Sequence, residues 1–267
     1  MLTELSIDGF LTFGAVYPLC LWANYRARIA TGFYRFNLGL AAFVLSLGVL
    51  ALILDAGGVV GGTLASSSVL RAGAVLWLVA LLGVTWAGWR RERPPLLMVT
   101  APSLLGLLIV AALVVSRTPA APAIAVATTV LGGATLSLAL YAMILGHWYL
   151  NVAKLPLGHL ATAVWAYSAF LALRLIWNAV ALVAAQVDYQ GLPLPLWQFV
   201  ATLDGFLVGV ALFFGTLLPL ALAYLVQRTL VAKSTQSATG LLYVVVIAAI
   251  IGDFSYRFYQ LRYGVLL

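Results

Sequence analysis

Along most of this chain the apolar positions show neither the 3.6-residue stripe of a surface helix nor the alternation of a half-buried strand. They form runs of 18 or more residues that are apolar on every face, separated by short polar or Gly/Pro-rich breaks. A run of about 20 such residues crosses the hydrocarbon core of a bilayer as a helix. The pattern predicts eight spans, at about 7–24, 35–54, 72–89, 96–115, 122–149, 157–186, 197–226 and 239–260. Pro18 interrupts the first, and Trp, Tyr and Arg mark many ends as interfacial anchors do. A transmembrane β-barrel would show segments of about 10 residues with dyad alternation, which are absent. The expected fold is therefore all-α, a polytopic membrane helix bundle forming one integral membrane domain. A division into four-plus-four helices near residue 119 is open to it, although no internal repeat is visible.

Composition agrees. Of 267 residues, 64% are hydrophobic and 8% charged, against about a quarter charged in soluble domains. The net charge of +7 would suggest nucleic acid in a soluble protein, but here the basic residues sit mainly in short loops and form no clustered footprint. With the N-terminus outside, inner loops hold Arg26, Arg28, Arg35, Arg90, Arg91, Arg93, Lys154, Arg228 and Lys233. The outer side holds Arg71, Arg117, Arg257 and Arg262. The excess of basic residues inside predicts both termini on the outer side of a bacterial or archaeal cytoplasmic membrane. Met1 to Asp8 is acidic and lacks the basic region of a signal peptide, so the first helix is expected to remain in the mature protein. Loops are short apart from the Gly/Ser-rich connection Asp55 to Arg71 and the segment Arg228 to Ser237, so any catalytic head would be a separate chain.

Chemistry is sparse. One cysteine, Cys20, excludes disulfides, thiolate clusters and paired-Cys haem attachment within the chain. There is no zinc-type Cys/His spacing, no phosphate-binding Gly-Lys-Ser/Thr loop and no Gly-x-Ser-x-Gly elbow. No metal site and no catalytic residue can be assigned. Gly205 and Gly209 have GxxxG spacing, and Gly132-Gly133 lie mid-way along the fifth span, where small residues permit close packing.

The informative residues are ionisable or polar groups within spans, which usually face a partner or a cavity. Tyr167, Arg174 and Asn178 share one face of the sixth helix. Asp204 is expected about 10 Å inside the seventh helix and Asp253 about 10 Å inside the eighth, with Arg257 one turn further on. Arg174 paired with Asp204 is the expected contact, either as a packing device or as part of a site for a polar head group or a proton relay. Asp253 with Arg257 at i, i+4 reads equally as a local pair at the membrane edge. His147 and His159 flank the turn between the fifth and sixth helices and are the candidate axial ligands of a haem b, against a plainer reading as interfacial residues beside Trp148 and Tyr149.

The run Gly252-Asp253-Phe254-Ser255-Tyr256-Arg257-Phe258-Tyr259 resembles the closing segment of the membrane anchors of DMSO-reductase-type molybdoenzymes, a group that includes the NrfD and polysulfide-reductase-type anchors. The resemblance covers the last helix only. It implies about eight helices, no cofactor of the anchor's own, and a quinol site near the outer face beside a separate iron–sulfur subunit, with Asp253 and Arg257 on the quinone side. The quinone-site histidine of that family has no counterpart, since no histidine precedes His147. The leading expectation is a membrane subunit of a respiratory electron-transfer complex that meets the quinone pool and anchors an iron–sulfur or cytochrome partner. The alternatives are a haem b cytochrome, a non-catalytic scaffold subunit and a transporter.

Overall fold

The computed structural model describes all residues except 26, 28, 56–67, 90, 93, 153 and 154. Arg26, Arg28, Arg90, Arg93, Lys154 and most of the Asp55 to Arg71 connection therefore lie outside the described residues. Eight helices are long and apolar enough to cross a membrane: Leu2–Asn24, Thr31–Leu54, Ser68–Trp89, Leu96–Arg117, Pro122–Asn151, Gly158–Ala184, Phe206–Val231 and Thr235–Tyr263. The chain is a multi-pass helical membrane protein. It separates into two compact units, Met1–Ser137 and Leu138–Leu267, with the boundary inside the fifth span.

In the first unit the first span is α1 (Leu2–Val16) continued by a 3-10 helix, Tyr17–Asn24. The change of helix type falls at Pro18, whose missing N–H and ring cannot continue an α-helix. It is followed by α2 (Thr31–Leu54), α3 (Ser68–Trp89) and α4 (Leu96–Arg117). α1 packs on α2 and α4, and α3 packs on the same two. Lipid tails are as apolar as the side chains, so close van der Waals fit rather than hydrophobicity holds such helices together. Small residues provide it: a Cβ at Gly14 of α1 would press on Leu45, one at Gly48 of α2 on Phe10 and Leu11, and one at Gly106 of α4 would fall on the Trp77 indole. At the end of α4, Arg117 Nη1 meets Asp8 Oδ1 of α1 at 2.5 Å. Gly133 of α5 (Pro122–Asn151) meets Thr12 of α1, so that glycine does serve close packing.

The second unit holds the C-terminal part of α5, then α6 (Gly158–Ala184), strands β1 (Gln186–Tyr189) and β2 (Leu192–Pro195), and a short α7 (Leu196–Phe199). α8 (Phe206–Leu212), a π-helical turn (Phe213–Leu217) and α9 (Leu218–Val231) together make the seventh span, and α10 (Thr235–Tyr263) the eighth. α10 packs along α8, the π turn and α9, while α6 packs on the π turn and α9. A Cβ on Gly252 would land on the backbone of Gly215, so helix 10 and the π turn touch backbone to backbone.

The start of the seventh span departs from the expected helices. The sixth helix was expected to reach about 186 and the seventh to start at about 197, yet the span starts at Phe206. Gln190 and Gly191 both have positive φ, 57° and 81°, the backbone of the two-residue turn that matches strand twist. Pro193 and Pro195 in β2 oppose Asp188 and Gln186 in an antiparallel ladder, with no further strand among the described residues. Two prolines spaced by one residue exclude a helix there and are tolerated only on an edge. Val187, Leu196, Phe199, Tyr259 and Val265 form a buried cluster beneath the hairpin.

Candidate functional site

The polar residues of α6 share its buried face, as their spacing requires. Tyr167, Arg174 and Asn178 are 0%, 1% and 2% exposed, while Leu173, Ile176 and Val180 on the other sides are open. A buried polar face on a helix whose remaining surface is apolar and exposed can only be satisfied from within the protein.

The partners come from α10 and the π turn. Asn178 Nδ2 donates to Thr216 Oγ1 at 3.0 Å and to Tyr256 Oη at 2.7 Å. Thr216 Oγ1 and Tyr256 Oη are themselves 2.9 Å apart, closing a ring of three polar groups from three elements. The π turn brings Thr216 to this position, and such insertions recur where a helix must re-aim a side chain for function. The Gly215–Gly252 contact lets the turn approach α10 closely enough for the ring to close.

Arg174 lies one turn deeper in α6, its guanidinium 3.8 Å from the centre of the Tyr256 ring. A desolvated contact of this kind contributes about 2 kcal/mol. Arg174 Nη2 also donates to the Leu267 backbone oxygen at 3.2 Å, and Trp177 Nε1 to that of Leu266 at 3.0 Å. The segment reaches α6 because α10 ends on Gly264 in the left-handed conformation, φ 66°. There Val265 N–H bonds back to the Tyr259 carbonyl and Gly264 N–H to that of Gln260, a glycine-terminated cap that reverses the chain.

Asp204 does not join Arg174. It lies outside the helix, exposed in the turn between α7 and α8. Its carboxylate accepts from Tyr189 Oη of the hairpin at 2.9 Å, and its backbone carbonyl accepts from Tyr259. The apolar residues Leu196 to Val200 that suggested a continuous helix belong instead to the short α7 and its turn. The GxxxG pair changes meaning for the same reason: Gly205 fits against the backbone of Phe199, and Gly209 has no neighbour that a Cβ would meet. Asp253 and Arg257 do pair with each other, Oδ2 to Nε at 2.7 Å, and both are buried within the protein.

Depth along the helices follows from the rise of about 1.5 Å per residue. Asn178 lies about 9 Å and Arg174 about 15 Å before the end of α6, Thr216 about 15 Å after the start of α8, and Tyr256 about 10 Å before the end of α10. All are toward the end of the unit that carries the hairpin. No protein-family model, curated protein or solved structure matches the chain. The reading of the site therefore rests on its own geometry.

Asn178 Oδ1 and Tyr167 Oη are among the buried atoms of this unit whose hydrogen-bonding capacity no neighbouring group uses. Thr216 and Tyr256 were not singled out in the sequence, because threonine and tyrosine are ordinary inside spans. The usable signal was a heptad offset on α6 with two polar residues one turn apart. The histidines are elsewhere: His147 is exposed on α5 with Nδ1 3.2 Å from Tyr243 Oη of α10. His159 is in the first turn of α6, half-buried. Among the described residues no group of three or more His, Cys, Asp or Glu is placed to hold a metal ion.

Proposed function

We propose that the chain is an integral membrane subunit of a respiratory electron-transfer complex, in the cytoplasmic membrane of a bacterium or archaeon, that engages the quinone pool through the Arg174–Asn178–Thr216–Tyr256 cluster. The observation that carries this reading is a polar cluster with unused hydrogen-bonding atoms, buried within membrane-spanning segments. Sites for lipid-soluble ligands are largely apolar with a few placed polar groups, and a quinone head has two oxygens for such groups to hold. Arg174 and Tyr256 supply a cation and a phenol, and Asn178 an amide, within about one helical turn of each other along α6. Tyr167 on the same face, and the Asp253–Arg257 pair on α10, are the further groups available for proton movement. In the proposed orientation both termini, the hairpin and this cluster belong to the outer half.

The spans are joined by connections too short for a cofactor domain, so electrons would arrive through an iron–sulfur or cytochrome partner. The test is to purify the tagged full chain in mild detergent and extract it with organic solvent. Quinone near one per chain and a co-purifying redox subunit are expected. A chain that carries no quinone, and binds none when short-tailed quinone is added, overturns the proposal.

A further inference from the structure

One end of the first unit is strongly basic. The end of the first span, the start of α2, the end of α3 and the start of α4 come together there. Trp22 Nε1 donates to Thr100 Oγ1 of α4 at 2.9 Å, and Tyr34 Oη of α2 to the Ala27 carbonyl at 2.8 Å. A Cβ at Gly88 of α3 would touch Leu38 of α2 and Pro94. The two connections at this end, 25–30 and 90–95, are six residues each. With the start of α2 they carry six arginines, Arg26, Arg28, Arg35, Arg90, Arg91 and Arg93, against a single acid, Glu92. Arg26, Arg28, Arg90 and Arg93 count here only through their charge and their place in the sequence.

Arg117 and Arg257 each pair with an aspartate, whereas among the described residues neither Arg35 nor Arg91 meets a carboxylate. The Arg35 guanidinium lies over Trp89, 5.5 Å from the ring centre. That contact uses the face of the guanidinium and leaves its N–H groups, which lie in its plane, for other partners. Arg35 Nε is one donor that no group of the protein uses, and Arg91 is exposed. Trp22, Tyr25 and Trp89 are exposed at the same end, and aromatic residues of this kind lie at the headgroup level of a bilayer. A cationic rim at that level is surrounded by lipid phosphates. Orientation in the membrane requires only an excess of basic residues in the inner loops. It does not require their concentration in two adjacent connections of one unit, and a planar guanidinium can hold a phosphate at two points.

We propose that this end of the first unit binds the headgroup of an anionic phospholipid, with Arg35 and Arg91 on its phosphate and Trp89 beside them. A zwitterionic lipid carries the same phosphate with an ammonium group of its own, so the net charge of the headgroup decides between the two. Clusters of about four to eight basic residues beside a membrane helix select anionic lipids, by about fivefold for each well-placed cation. The proposal is independent of the quinone reading, which concerns the second unit.

The experiment places the full chain in phosphatidylcholine nanodiscs with a trace of photoactivatable lipid. The probe carries a diazirine next to its acyl carbonyl and either a phosphatidylglycerol or a phosphatidylcholine head. After irradiation the adducts are mapped by mass spectrometry of peptides. The phosphatidylglycerol probe is expected to mark segments 22–36 and 86–100 about fivefold more than the phosphatidylcholine probe. A smaller difference is expected at 224–238, which holds Arg228 and Lys233. Arg35→Gln with Arg91→Gln is expected to lower the ratio at the first two segments severalfold. Arg228→Gln with Lys233→Gln removes the same charge elsewhere and is expected to leave that ratio unchanged. Soluble glycerol phosphate is expected not to compete, because the lipid tails hold the head at the surface. Equal marking by the two probes, a preference as large at 224–238, or equal loss in the two double variants overturns the proposal. Displacement by glycerol phosphate overturns the lipid as the occupant. The comparison of probes on the unmodified chain needs no substitution, so it decides even where a variant does not fold.

Discussion

Two glycines on α10 show how much depends on where a missing Cβ lies. At Gly252 a methyl would meet the Gly215 backbone, which has no flexible end to move aside, whereas at Gly240 nothing lies within 4 Å. Gly252→Ala is expected to destabilise by about 1–3 kcal/mol through overpacking, and Gly240→Ala to be neutral or to stabilise by up to about 1 kcal/mol through the unfolded chain. Thermal unfolding in one detergent measures both, and an equal shift in the two variants would show that the Gly215–Gly252 contact is not close-packed. At the rim, the hydrogen bond Tyr189 donates to Asp204 holds its phenol above the ordinary tyrosine value. Burial and the nearby Asp204 charge act in the same direction. Because the folded value is the higher one, the contribution of this bond is complete below about pH 10 and is lost as pH rises through the raised value. Difference absorbance of tyrosinate between the intact chain and Tyr189→Phe is expected to titrate above about pH 10. Asp204→Asn is expected to bring that titration down. The charged residues were easy to find in the sequence, and so was the Asp253–Arg257 pair at i, i+4, but the partners of Arg174 and Asp204 were not. Arg174 meets an aromatic ring and a backbone oxygen, and neither stands out in a one-dimensional pattern.

At the scale of elements, seven of the eight spans begin and end within a few residues of the positions read from apolar runs, because hydrocarbon thickness leaves little freedom in length. The seventh does not. Its start reads as about 197 because Trp197, Phe199 and Val200 are apolar, yet they belong to the short α7 and its turn, and the span starts at Phe206. The π turn was not legible at all, since one inserted residue leaves an all-apolar pattern unchanged. Its consequence can be tested by deleting Phe214. Removing one residue converts the turn to regular helix and rotates Thr216 and α9 relative to α8 by about 100°, so that Thr216 and the face α8 packs on α10 can no longer both keep their places. The deletion is expected to cost more stability than Thr216→Val, which removes two hydrogen bonds of about 1 kcal/mol each but keeps the packing. Unfolding midpoints of the two variants compare them directly, and equal midpoints would mean that the turn does not position Thr216.

For the molecule as a whole, the proposed topology has the N-terminus, the C-terminus and the connection between the sixth and seventh spans on the outer side. The second unit is consistent with this on its own: the hairpin end of α6 and the final turn of α10 meet through Phe199, Tyr259 and Tyr263. In the first unit, the ion pair of Asp8 with Arg117 likewise joins the start of α1 to the end of α4. Which side this is depends on the excess of basic residues in the alternate loops. The natural cysteine is buried, so a Cys20→Ser background leaves a single introduced thiol as the only target. Gln190→Cys in the hairpin turn and Lys233→Cys between α9 and α10 are both exposed positions. A membrane-impermeant maleimide applied to intact cells is expected to label Gln190→Cys and not Lys233→Cys, and inverted vesicles to give the opposite. The reverse pattern would put the Asn178 cluster in the cytoplasmic half, where a quinol would exchange its protons with the cytoplasm. The same labelling thus fixes the orientation and the side from which the proposed ligand is protonated.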